Sequence, residues 1–100
     1  MEISEALGDC LKSAQTFALD LQGQHKTSQK PETLQRIEWM QRQIANLVGR
    51  LKAIADDVEA GFTLGEMGFG GDEDFAELLE DVGKQIKDMR GMLQSLAHER

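Results

Sequence analysis

The side chains that could carry out chemistry in this chain are few and widely separated. Cys10 is the only thiol, and His25 and His98 are the only imidazoles. Nucleophilic catalysis needs a thiolate or hydroxyl with a base in hydrogen-bond reach, and zinc needs clustered Cys and His at short spacing. One thiol and two distant histidines satisfy neither pattern. A di-iron carboxylate centre needs Glu-x-x-His pairs projecting from two helices, and no such pair occurs. Asp72-Glu73-Asp74, with Glu77, Glu80 and Asp81, has the composition of a calcium site without its order. That order is alternate acidic ligands, a central glycine and a closing Glu at the twelfth position. The glycines between 61 and 71 lack the Lys-Ser or Lys-Thr of a phosphate loop, and Glu66 among them would repel a phosphate. These absences predict a protein with no catalytic residue, no metal and no cofactor.

Charge and composition narrow the partners. The 100 residues hold 18 Asp and Glu against 11 Lys and Arg, a formal net charge of -7, and 40% of them are apolar. That apolar share supports one folded domain, residues 1–100, with a modest core. The acidic balance argues against the phosphate backbone of nucleic acid and against an anionic membrane surface, both of which select clustered cations. A single cysteine excludes an internal disulfide and fits a reducing compartment, so a cytoplasmic location is expected. No apolar run approaches the ~20 residues of a membrane span. The start, Met1-Glu2-Ile3-Ser4-Glu5, is acidic where a signal peptide is basic.

Three segments must position whatever function exists. Ile3, Leu7, Cys10, Ala14, Phe17 and Leu21 recur at alternating steps of four and three. Ile37, Met40, Ile44, Leu47, Leu51, Ile54 and Val58 do the same, as do Phe75, Leu79, Val82, Ile86, Met89, Leu93 and Leu96. This is a helical period, and no segment alternates as a strand would. Pro31 suits the first turn of a helix, Gly23 and Gly61 suit left-handed helix ends, and Asp72 suits an N-cap. The expected helices are 3–22, 31–60 and 72–97, separated by a polar loop at 23–30 that holds His25 and an apolar, Gly-rich loop at 61–71. Each apolar stripe must be buried against the others, which predicts an all-α, up-down-up antiparallel three-helix bundle. Its rival is a dimerising hairpin of the second and third helices, with the first as an added arm. Cys10 falls in the first seam and reads as a small buried hydrophobe.

Three features exceed what a bundle needs. Phe62, Leu64, Met67 and Phe69 alternate with glycines in a loop where water gives apolar groups no benefit. Phe62 and Leu64 suit capping the bundle end, whereas Met67 and Phe69 suit recognition. The seven acids between 61 and 81, unaccompanied by any base, equal the entire net charge. Trp39, Gly49 and Ala53 lie off the seam of the second helix, where small residues would admit another helix.

The first functional expectation is a non-enzymatic interaction module. Met67 and Phe69 would be its anchors, ringed by Glu66, Asp72, Glu73, Asp74 and Glu77, and its partner a protein with a basic surface. A nucleic-acid channel is such a surface, and small acidic inhibitors encoded by phage against bacterial defence complexes offer an analogy of class. The alternative is a structural homodimer or assembly subunit joined through Trp39, Gly49 and Ala53. Direct nucleic-acid contact through Lys26, Lys30, Arg36, Arg42, Arg50 and Lys52 ranks lower, because Glu32, Glu38, Asp56, Asp57 and Glu59 dilute those cations.

Overall fold

The first helix continues past the end of its apolar seam. In the computed structural model, which describes residues 3–98, α1 runs Ile3–Thr27, α2 Pro31–Glu59 and α3 Asp72–His98. Met1, Glu2, Glu99, Arg100 and the side chain of His98 fall outside the described residues. At ~1.5 Å per residue, α1 is about 38 Å long, a full turn more than the seam predicts. Gly23 is therefore an interior helical residue instead of a C-terminal cap, and His25 lies on α1 instead of in a loop. The polar residues after Leu21 permit a helix, and what ends it is Pro31. The residue before a proline is pushed towards extended backbone, and Lys30 has φ -79° and ψ 126°. Only Ser28, Gln29 and Lys30 are left to turn the chain. Thr27 helps close the end by donating its Oγ1 hydrogen towards the carbonyls of Gln24 (3.2 Å) and Gly23 (3.4 Å).

The three stripes meet as the periodicity requires. Leu7, Ala14, Phe17 and Leu21 of α1 are buried with Ile37, Met40, Ile44, Leu47 and Leu51 of α2 and Phe75, Val82, Ile86, Met89 and Leu96 of α3. No polar or charged residue is buried among the described residues. The body measures 47 × 21 × 19 Å, one long helix by two helix diameters, so the helices lie side by side. This is the all-α three-helix bundle. The rival hairpin fails on α1, which makes its largest packing with α2 and places four residues in the core. Cys10 is half-buried at the edge of that core. Its thiol pKa is raised by desolvation, which disfavours the reactive thiolate.

α3 contacts α1 more than α2. Arg90 fastens it to α1: its guanidinium lies 3.3 Å from an Asp20 carboxylate oxygen and 5.1 Å from the centroid of the Phe17 ring. A pair this exposed contributes at most about 1 kcal/mol, with a similar amount from the ring contact.

Candidate functional site

The site expected around the Gly-rich loop is built from two helix-stop motifs in succession. α2 ends with Gly61 in the left-handed region at φ 91°. Gly61 N–H donates to the Val58 carbonyl at 3.1 Å, and Phe62 N–H donates to the Asp57 carbonyl at 3.0 Å. That bond pair defines a Schellman motif, whose residue after the glycine normally packs on the residue three before the helix end. Here the seat is Asp57, which offers Phe62 no apolar surface, and Phe62 is left 50% exposed.

The chain then makes one further turn. Thr63 N–H donates to Glu66 Oε1 at 3.1 Å, and Glu66 N–H donates to Thr63 Oγ1 at 3.2 Å. This is a reciprocal capping box in Thr63-x-x-Glu66, so Glu66 has a local structural partner. The turn closes on Gly68 at φ 93°, where the same motif repeats. Gly68 N–H donates to the Gly65 carbonyl at 3.1 Å, and Phe69 N–H donates to the Leu64 carbonyl at 2.8 Å. This time the seat is apolar. Leu64 and Phe69 both pack on the core, and Phe69 meets buried Phe75 edge-to-face with centroids 5.4 Å apart. The expected exposure of Phe69 is thus corrected, because an apolar seat draws it inwards. Met67 is half-buried without joining the core, and Phe62, expected to cap the bundle, is the open aromatic.

The start of α3 follows with a second correction. The first bond into the helix runs from Phe75 N–H to the Gly71 carbonyl at 3.2 Å, making Gly71 the N-cap and Asp72 the first helical residue. The capping carboxylate is that of Asp74, which accepts the Gly70 N–H at 2.9 Å. A Cβ on Gly70 would meet that Asp74 oxygen, so a larger residue there would displace the exposed carboxylate from this bond. Asp72, Glu73, Asp74, Glu77, Glu80 and Asp81 are all exposed, as is Glu66. Among the described residues none of the seven forms an ion pair. Acids in the first turn complement the positive end of the helix dipole; Glu77, Glu80 and Asp81 lie beyond its reach.

Loop and acidic helix follow one another in the chain, with Phe62 and the seven carboxylates exposed and Met67 half-buried. The proposed second face separates. Trp39 lines a groove of about 180 Å³ between α2 and α3 with Gln43, Gln85, Asp88, Met89 and Met92. Gly49 and Ala53 are exposed, and a Cβ on Gly49 would meet nothing within 4 Å. Among the described residues no three His, Cys, Asp or Glu side chains are grouped to hold a metal ion, and no helix is long and apolar enough to cross a membrane.

The chain matches no family model, no curated protein and no solved structure.

Proposed function

We propose that this protein is a non-enzymatic interaction module that docks through its 61–81 surface on a basic protein surface. The observation that carries the reading is a half-exposed Phe62 held on a doubly stopped loop, with seven exposed carboxylates in 61–81 that form no ion pair among the described residues. Seven like charges in this short stretch repel one another, and a cationic partner relieves that repulsion. A rigid aromatic supplies the desolvated anchor that charge alone lacks. The finer reading is an inhibitor of the phage anti-defence type that occupies a partner's nucleic-acid-binding surface. In this reading the anchors are Phe62 and Met67, and the carboxylates free to engage are Asp72, Glu73, Glu77, Glu80 and Asp81. Glu66 and Asp74 hold the loop in shape.

The test is a titration of isotope-labelled protein with a peptide alternating Arg and Leu, followed by NMR. Shift changes should concentrate within 61–81 and weaken steeply with added salt. A variant carrying Phe62→Ala, Glu73→Lys, Glu77→Lys and Glu80→Lys should keep its helical spectrum and lose the response. Shifts spread over all three helices, or a response that survives in this variant, would overturn the reading.

A further inference from the structure

The groove between α2 and α3 sets an open aromatic beside an unpaired carboxylate. Its lining is Trp39 and Gln43 of α2 with Gln85, Asp88, Met89 and Met92 of α3. Trp39 is 43% exposed and Met92 41%, and Asp88 is exposed with them. Asp88 forms no ion pair, and no cation among the described residues lies over the Trp39 ring. Lys84 stands one turn before Asp88, the less favourable order for a helical ion pair. At about 180 Å³ the groove is smaller than the ~300–1,000 Å³ of a small-molecule site, a size that suits one side chain.

We infer that this groove takes an arginine side chain of the basic partner, an assignment that rests on the docking reading for the source of that arginine. The face of an indole ring and a carboxylate each attract a cation. A guanidinium answers both, because it is planar, stacks on aromatic rings and meets a carboxylate with two parallel N–H donors. Gln43 and Gln85 offer carbonyl acceptors for the N–H groups that remain. Met89 and Met92 are apolar and adaptable enough to cover the methylene stem. A lysine ammonium is a compact, strongly hydrated point charge and gains less from such a lining. The groove also lies in line with the docking surface. Asp81, Gln85, Asp88 and Met92 follow at steps of four, three and four, so they share one face of α3. Asp88 stands about 10 Å along the helix from Asp81, a distance that an extended partner segment spans in about three residues.

Trp39 is the single tryptophan of the chain, so its fluorescence reports on the groove directly. The probe is the blocked dipeptide acetyl-Leu-Arg-amide, titrated at constant ionic strength beside acetyl-Leu-Lys-amide. The arginine dipeptide should change the Trp39 emission saturably and bind more tightly than the lysine one, by about fivefold. Asp88→Asn should weaken the arginine dipeptide by about fivefold, the worth of an exposed ion pair, and erase most of its advantage over lysine. Its helical spectrum should not change, since Asp88 is exposed. Asp57→Asn, at the far end of α2, should bind as the unaltered chain does. An unresponsive Trp39, equal affinity for the two dipeptides, or full affinity in Asp88→Asn overturns the inference. The docking reading fails separately. Shifts in 61–81 with the longer peptide but a silent Trp39 with the dipeptide refute the groove alone, and the reverse pattern refutes the docking surface alone.

Discussion

Phe62 and Phe69 occupy the same position in two consecutive helix-stop motifs, and replacing each by alanine should separate structure from recognition. Complete truncation of a buried phenylalanine costs ~3–5 kcal/mol. Phe69 is half-buried, so about half of that applies, and loss of its edge-to-face contact with Phe75 adds ~0.5–1.5 kcal/mol. Phe69→Ala should therefore destabilise by about 2–4 kcal/mol. For a domain of this size each kcal/mol moves Tm by ~4–8 °C, so melting should fall by roughly 10–30 °C. Phe62 is 50% exposed and absent from the packed core, so Phe62→Ala should stay below about 1 kcal/mol. Urea denaturation followed by circular dichroism, with the slope held common, measures both. Equal losses for the two variants, or a neutral Phe69→Ala, would refute the account of the loop in which the residue at the seat, Leu64 or Asp57, decides which aromatic is buried. The contrast also warns against Phe69→Ala as a probe of binding, because it alters the surface it is meant to test.

Two further predictions concern the helices. Gly49 sits inside α2 with open space where a Cβ would go, so Gly49→Ala should stabilise by about 0.5–1 kcal/mol and raise Tm by several degrees; a thermal melt showing destabilisation would mean that the glycine serves a contact. Cys10 has a thiol pKa raised by desolvation, so the folded chain holds its proton to higher pH than the unfolded chain does. Its contribution to stability is then fully present below the unfolded thiol pKa and declines as pH rises through that range and on through the folded value. Cys10→Ala should lessen this decline in pH-dependent denaturation, and alkylation of native Cys10 at mildly alkaline pH should be slower than that of the urea-unfolded chain.

Much of the fold was legible because helical period is a local property. Alternating steps of three and four along Leu7, Cys10, Ala14, Phe17 and Leu21, and along their counterparts in α2 and α3, require a stripe on each helix whatever the neighbours do. The end of α1 was less legible: a polar run with a glycine reads as a loop, yet a helix is limited by what forbids it, and that was Pro31 acting on Lys30. The motif Thr63-x-x-Glu66 was present in the sequence as a capping box and is the signal that would have revealed the extra turn. The pairing of Gly61 with Asp57, against that of Gly68 with Leu64, would have distinguished Phe62 from Phe69.

Residue order by itself determined three amphipathic helices, the placement of the whole net charge between Gly61 and Asp81, and the scarcity of groups able to do chemistry. Those follow from spacing and count, which need no third dimension. Tertiary structure alone decided that Phe69 meets Phe75 edge-to-face, that Trp39 lies over the α2–α3 groove, and that Leu19 borders an α1–α2 groove. Exposure depends on which neighbour occupies the adjoining space, and in a three-helix bundle that neighbour comes from a different helix, far away in the chain.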